Sequence, residues 1–444
     1  MAQKLFRDPL YDYIPIEKGS WLLDLVNTPE VQRLRYIGQL GLAHFTYPGA
    51  THSRFSHSLG VFNLMRACIS HLKEDYSGYF QPLDDEALLA AALLHDIGHF
   101  PLSHVTEAIF GSHEKQGLSI INSPDSGVNK VLTRCHCELP SKVVALLSKS
   151  DDTLPWQKSL ISSQLDVDRL DYLQRDSLCS GAEYGHFDCF RLIHTMELRE
   201  KQFREAQKII FVVWPEKSKY AIEEYIFSRF YMYQSVYFHH TTRGFEELVR
   251  KILQRAKDIS ETDVSFATAM LPPIKSVLCT TEEPSLETFQ MLTDNMLFAQ
   301  IALWQKGKDK ILSDLCERLL LRKGISWKET EGTPFEMNEK IERVREYLSK
   351  QKLDPKYYFY EGTPTGTTTY KPYSSAAAVE EQSSVNSIML FDASWPDSKF
   401  REISEVPGLE RIKAITGSQA LKLRYYFPKE YEKEIKNLLS PNSK

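Results

Sequence analysis

Eight of the thirteen histidines fall between residues 44 and 113, far more than an even spread would place there. Within that region the stretch AALLHDIGHFPLSHVTE, residues 91–107, ends an apolar run on His95 and Asp96, with His99 and His104 close behind. A carboxylate at the end of so apolar a segment needs a partner, because an unpaired buried charge is costly. A metal cation is one such partner, and an adjacent His-Asp pair offers it one nitrogen and one oxygen. The competing reading is a helix end whose polar residues meet solvent. On a helix His95 and His99 are four residues apart and share a face, with Asp96 rotated by about 100°.

Two other stretches bear on that choice. THSRFSHSLGVF sets His57 at the start of an apolar helix, and SQLDVDRLDYLQRDS supplies Asp166, Asp168, Asp171 and Asp176. On a helix, positions 168, 172, 175 and 176 lie on one face, so Asp168, Tyr172 and Asp176 can look into a common cavity, with Asp166 opposite. If one of these aspartates completes a metal site, it is Asp168. The alternative for the stretch is an acidic, solvated helix.

Such residues need elements to hold them. Residues 1–50 read as short strands and turns leading into TPEVQRLRYIGQLG, a helix that Thr28 can cap with Pro29 at its first position. Helices follow over about 56–72 and 85–98. The second is ended by Gly98 and by Pro101, which pushes Phe100 out of helical geometry. Helical periodicity continues over 140–149, 156–178, 221–257 and 285–322, with few strand-like alternations. After about 335 the character changes. EGTPTGTTTYKPYSS separates KYYFY from strand-like SIMLF, and ALKLRYYF precedes a last charged helix. The expectation is a mainly α fold. Residues 1–334 form the helical core with its extension, and 335–444 a smaller C-terminal α+β lobe, regulatory or for oligomerisation, with a flexible loop near 361–386.

The order and spacing of His57, His95–Asp96 and Asp168 resemble the H…HD…D pattern of the HD-domain metal-dependent phosphohydrolases. The resemblance narrows with TPEVQRLRYIGQLGLAHFTYPGATHSRFSHSLGVF, LLHDIGHFPLSHVTE, the His113–Glu114 pair and DVDRLDYLQRD. Together these are similar to the deoxynucleoside triphosphate triphosphohydrolases of the SAM-and-HD-domain type, over about residues 4–250, with no SAM domain expected ahead of the core. The resemblance implies His57, His95, Asp96 and Asp168 as ligands of a divalent transition metal. A mixed N/O set suits Fe, Mn, Zn or Ni, and such an ion acidifies a bound water and polarises a phosphoryl oxygen. Mg²⁺ commonly bridges the phosphates of such substrates.

Further roles follow from the same resemblance. Arg54, Arg169 and Arg229 fall where the triphosphate is held, Arg169 standing where the animal enzymes have lysine. His104, with His99 nearby, is the candidate general acid for the leaving 5′-oxygen. His113 and Glu114 are candidates to orient and charge it. Gln39, Tyr172 and Asp176 match positions that recognise the sugar 3′-hydroxyl, and Tyr237 the tyrosine that crowds the 2′ position and so disfavours ribose. By periodicity alone, Tyr233 and Tyr237 would both be core residues; Tyr233 remains one. Lys4, Gln32 and Arg35 match part of an effector-nucleotide site between subunits of a homo-oligomer, dimer or tetramer. Asn27 and Arg7 depart from the pattern that reads guanine.

Composition excludes other classes. The net charge is −5 and the pI about 6.3, so no global basic footprint points to nucleic acid or membrane. MAQKLFRDPLYDY lacks the pattern of a signal peptide, and no apolar run approaches the roughly 20 residues that span a bilayer. Seven scattered cysteines, including the Cys135–His136–Cys137 triplet with no second pair at finger spacing, read as free thiols of a cytoplasmic protein. The expected partners are dNTP substrates and a nucleotide effector, with nucleic acid not required. Two alternatives stand beside a dNTP triphosphohydrolase. One is another HD phosphohydrolase acting on a nucleoside monophosphate, cyclic nucleotide or alarmone; the other is a nucleic-acid-binding regulatory protein with a vestigial site.

Overall fold

The computed structural model describes residues 2–148, 155–203, 207–280, 282–330, 334–362, 373, 387–395, 399–416 and 423–440. The chain opens with an antiparallel hairpin, β1 (Gln3–Asp8) and β2 (Asp12–Glu17), in register from Gln3↔Glu17 to Asp8↔Asp12. Asp8 builds its turn, accepting from the backbone N–H of Leu10 at 2.9 Å and of Tyr11 at 3.1 Å. The hairpin lies against the helical core, burying Ile14 and Ile16.

Four helices build the centre. In α1 (Arg54–Tyr76) the Ser53 side chain caps the N-terminus, accepting from Ser56 N at 3.5 Å. Its buried residues, from Phe55 through Leu59, Phe62, Leu64 and Met65 to Leu72, lie on several sides, as a helix packed all round requires. α2 (Asp84–Leu94) begins on Asp84, Asp85 and Glu86, which complement the positive end of its dipole, and buries Ala87, Leu88 and every residue from Ala90 to Leu94. α3 (His113–Asn122) is capped by Ser112 and α4 (Val167–Ser180) by Asp166, which accepts from Arg169 N at 2.8 Å. α1 packs on both α2 and α4.

Element ends differ from expectation in ways that matter for the site. α2 stops at Leu94, and residues 95–98 form tight turns, with Ile97 N donating to Leu94 O at 3.0 Å and His99 N to Asp96 O at 3.2 Å. Gly98 allows this: a Cβ there would overlap the carbonyl of His113 and the amide of Gly117, so α3 can close on the turn only against glycine. His95 and His99 therefore do not share a helical face. The 156–178 stretch is two helices, Pro155–Ile161 and α4. The 221–257 stretch is α5 (Lys219–Met232), a π-type turn Tyr233–Tyr237, and α6 (His240–Ser260). Pro29 does stand at the first position of its helix, but Thr28 makes no side-chain cap; its hydroxyl donates to Leu25 O at 2.8 Å.

The fold is mainly α with a smaller C-terminal α+β region, whose strands pair with strands that precede it. The hairpin β3 (Glu197–Phe203) and β4 (Gln207–Pro215), weak in alternation, pairs through β4 with parallel β7 (Met389–Phe391), which β8 (Phe400–Glu402) flanks. A second sheet runs β5 (Ile325–Thr330), β9 (Leu423–Pro428), β6 (Tyr360–Gly362). Met337, Val344, Leu348, Phe359, Phe427 and Ile435 form a small second core there. Nearly all of the loop expected near 361–386 lies outside the described residues. Among the described residues no helix is long and apolar enough to cross a membrane.

Candidate metal centre and hydrolytic site

His57 projects from the first turn of α1, His95 from the turn that follows α2, and Asp168 from the first turn of α4. His57 Nε2 lies 3.0 Å from Asp168 Oδ1 and 3.2 Å from His95 Nε2; His95 Nε2 lies 3.6 Å from the same Asp168 oxygen. Asp96 Oδ2 adds a fourth donor, 3.7 Å from His57 Nε2 and 3.5 Å from His95 Nε2. Both rings are held from behind. His57 Nδ1 lies 2.8 Å from Asp171 Oδ2, and His95 Nδ1 2.9 Å from Ala92 O. With both Nδ1 atoms so engaged, the two Nε2 atoms face each other beside two carboxylates, a donor set that suits a divalent cation. The residues fit a divalent metal.

The carboxylates favour positive charge at this centre. Burial opposes a charged His57, but hydrogen bonds to Asp168 and Asp171 outweigh it and carry the ring up to about 10. Burial likewise opposes a charged Asp168, and the two imidazoles still hold it below the ordinary carboxylate range. Asp96, buried as well, is kept far down by Arg54, His95 and His99; it forms an ion pair with Arg54, and its Oδ1 lies 3.2 Å from His99 Nε2.

Beside this centre stand His99, His104 and His113. The His99 and His113 rings stack at 4.0 Å with 10° between planes, and His104 meets each edge-on at 4.7 and 5.1 Å. The carboxylate that joins them is Glu107: its Oε2 lies 2.9 Å from His104 Nδ1 and its Oε1 2.7 Å from His113 Nδ1. Glu114 stands in the first turn of α3, next to His113. Burial pushes His99 and His104 down despite their carboxylate neighbours.

The substrate-binding candidates converge on the same region. Tyr237 donates its hydroxyl to Asp176 Oδ2 at 2.8 Å, and His52 Nε2 lies 2.8 Å from Asp176 Oδ1. The Tyr172 ring stands 6.4 Å from His57 and 6.2 Å from Tyr237, edge-on to both. Gln39, Ser103, His104 and Tyr237 line one cavity. Arg54 Nη2, Arg169 Nε and Gln39 Oε1 are among the buried polar atoms with no hydrogen-bond partner among the described residues. Such groups are costly unless a ligand meets them. Arg169 is ion-paired to Asp166, so this aspartate serves the arginine rather than a metal. Arg229 Nη1 reaches Gln164 Oε1 at 2.8 Å. Tyr233 is a core residue, stacked on Phe238 at 4.3 Å.

Lys4, Gln32 and Arg35 form a separate surface patch. Lys4 Nζ sits 4.9 Å from the Phe6 ring, Phe6 packs 6.5 Å from Phe55, and the Arg35 guanidinium lies 3.6 Å over Phe55 while donating to Gln32 Oε1 at 2.8 Å.

Three contributors escaped the sequence reading: Asp171, His52 and Glu107. Only Glu107 had a local signal, three residues after His104; the other two depend on the meeting of distant elements.

The chain is similar to known proteins. The HD-domain family model matches residues 54–176, and that of the HD-associated region matches 187–298. The uncharacterised Bacillus subtilis protein YwfO is 34% identical over 433 residues, covering 96% of this chain and 93% of its own. The human deoxynucleoside triphosphate triphosphohydrolase SAMHD1 is 31% identical over 228 residues, 43% of this chain and 36% of that one. The crystal structure of a phosphohydrolase from Bacteroides thetaiotaomicron matches with a TM-score of 0.76 at 27% identity, over 96% of this chain and 100% of the other.

Proposed function

Because the chain belongs to the HD-domain phosphohydrolase family, we propose that it hydrolyses deoxynucleoside triphosphates to deoxynucleoside and inorganic triphosphate. The observation that carries this reading is the Tyr237–Asp176 hydrogen bond of 2.8 Å, made by a tyrosine that shares a cavity with Gln39 and His104. A sugar seated there finds acceptors for its 3′-hydroxyl in Asp176 and Gln39, with Tyr172 beside them, and a phenol ring where a ribose 2′-hydroxyl would go. Steric exclusion of that hydroxyl would select deoxyribose.

His57, His95, Asp96 and Asp168 would hold a divalent Fe, Mn, Zn or Ni ion, which supplies an acidified water and a polarised phosphoryl oxygen. The chain's own groups do the rest. Arg54 and Arg169 offer buried N–H donors to the triphosphate, Arg229 and Arg169 both act on Tyr172, and Mg²⁺ would neutralise phosphate charge further. As the bond from the α-phosphorus to O5′ breaks, His104 gives its Nε2 proton to that oxygen, while Glu107 holds its Nδ1. Glu107 also fixes His113, which with His99 packs the acid in place. The Lys4–Gln32–Arg35 patch is proposed as part of an effector-nucleotide site between copies of a cytoplasmic homo-oligomer.

The test is turnover of the four dNTPs, singly and mixed, and of the four rNTPs, with products identified. The expected result is deoxynucleoside plus inorganic triphosphate, slow or no reaction with ribonucleotides, and loss of both metal and activity in Asp96→Ala with the helical content kept. Orthophosphate or pyrophosphate as product, or full turnover by metal-free Asp96→Ala, would reject the reading.

A further inference from the structure

A chain of buried charges joins the metal-facing imidazole of His57 to the N-terminal hairpin. His57 Nδ1 lies 2.8 Å from Asp171 Oδ2. Arg175, one turn further along α4, donates from Nε and Nη2 to the two oxygens of Asp171, each at 2.9 Å, and from Nη1 to Asp8 Oδ2 at 2.8 Å. Tyr11, in the turn between β1 and β2, donates its hydroxyl to Asp171 Oδ1 at 2.9 Å. His57, Asp171 and Arg175 are fully buried, and Asp8 is 5% exposed. The space is shaped for them: a Cβ at Gly60, in α1, would overlap the side chains of Asp171 and Arg175.

The charge count gives the cluster a direction. It holds two carboxylates and one guanidinium, so with His57 neutral, as a metal ligand must be, one negative charge remains. That charge lies on the Nδ1 side of the ring, opposite the Nε2 that faces the other ligands. A carboxylate accepting the Nδ1 proton fixes the tautomer and orientation of a ligating histidine and makes its other nitrogen a stronger donor. Were Asp8 absent, Arg175 would neutralise Asp171 alone and the ring would lose that support. Asp8 is well placed for the task, since its Oδ1 builds the hairpin turn while its Oδ2 reaches the arginine.

We propose that the hairpin is a working part of the metal centre: Asp8 and Tyr11, through Arg175 and Asp171, position His57 and strengthen it as a ligand, so metal affinity depends on the docked hairpin. These four are positioning residues. The proposal rests on the metal reading of the His57 cluster and not on the substrate.

Mn²⁺ affinity, measured by competition with a chromophoric chelator, tests it in wild type, Asp171→Asn, Asp8→Asn, Tyr11→Phe and the Asp8→Asn/Asp171→Asn double variant. Asp171→Asn should weaken binding about 10–100-fold, the usual cost of losing such a partner. Asp8→Asn, which keeps the turn-forming oxygen, and Tyr11→Phe should each weaken it less, but beyond the roughly twofold scatter within which independent sites add. In the Asp171→Asn background the Asp8 effect should vanish, because its path to His57 is cut. An Asp8 effect of the same size with or without Asp171 would overturn the proposal, as would wild-type affinity in both Asp8→Asn and Tyr11→Phe. Far-UV circular dichroism of the metal-free proteins checks folding. Tyr11→Phe, which removes one oxygen and keeps the ring, carries the test alone if the charge variants do not fold. This dependence without any dNTP turnover would support the proposal while rejecting the substrate proposed above.

Discussion

His104 can act as an acid only while it carries a proton, and the free protein disfavours that. Burial first, then the neighbours Arg54 and His113, outweigh the hydrogen bond to Glu107 and hold the ring below its ordinary value of 6.5. A group with a depressed pKa is protonated only at pH below that value. Since kcat/KM reports the free enzyme, it should fall as pH rises through a point below 6.5. Bound triphosphate brings negative charge to the ring and raises its pKa, so kcat, which reports the complex, should hold to higher pH. Profiles of both constants between pH 5 and 9 check this; coincident limbs would contradict it. His104→Ala should retain the metal and lose roughly 10²–10⁴-fold in turnover, less with a nitrophenyl leaving group that needs no proton. Equal slowing of both substrates, or loss of the metal, would remove the acid role. The cluster of His57, His95, Asp96 and Asp168 was legible in the residue types and their order. Asp171 and His52 were not, since nothing in their neighbours announces a partner more than 100 positions away.

At the scale of the element, the turn after α2 separates two chemistries that a continuous helix would have merged. Helical periodicity placed His95 and His99 on one face. The chain instead leaves the helix at Leu94, sending His95 and Asp96 toward His57 and His99 to the stack with His113. No propensity predicts that break within four residues of Gly98. It follows from α3, whose first turns occupy the space where a Cβ at Gly98 would lie. Gly98→Ala must therefore push α3 away, because backbone atoms cannot be relieved by a rotamer change. The expected cost is about 1–3 kcal/mol of stability, as for other overpacked interiors, with turnover reduced and metal content kept. Chemical denaturation together with metal analysis measures both. A variant as stable and as active as wild type would contradict this account of the turn. The π-type turn at Tyr233–Tyr237 acts similarly: it interrupts a long aromatic helix, and Tyr237 at its end meets Asp176 while Tyr233 stays in the core.

Across the whole molecule, the site is assembled from segments that no short window contains. The candidate metal cluster needs α1, the end of α2 and α4, and Asp8 of the charge network behind His57 comes from the first ten residues. The mainly α character and the smaller C-terminal α+β region were legible from periodicity and composition. The β3–β4 hairpin was not, because its alternation is weak, and it gains β7 and β8 as sheet neighbours only in the folded chain. Such long-range assembly is why the proposed chemistry is best tested on the intact protein, at the bond it breaks. Hydrolysis of a dNTP in ¹⁸O-labelled water, with products resolved by mass spectrometry, follows the attacking oxygen directly. Attack on the α-phosphorus with cleavage to O5′ should put one labelled oxygen in inorganic triphosphate and none in the deoxynucleoside. Label in the deoxynucleoside, or in orthophosphate or pyrophosphate, would contradict it.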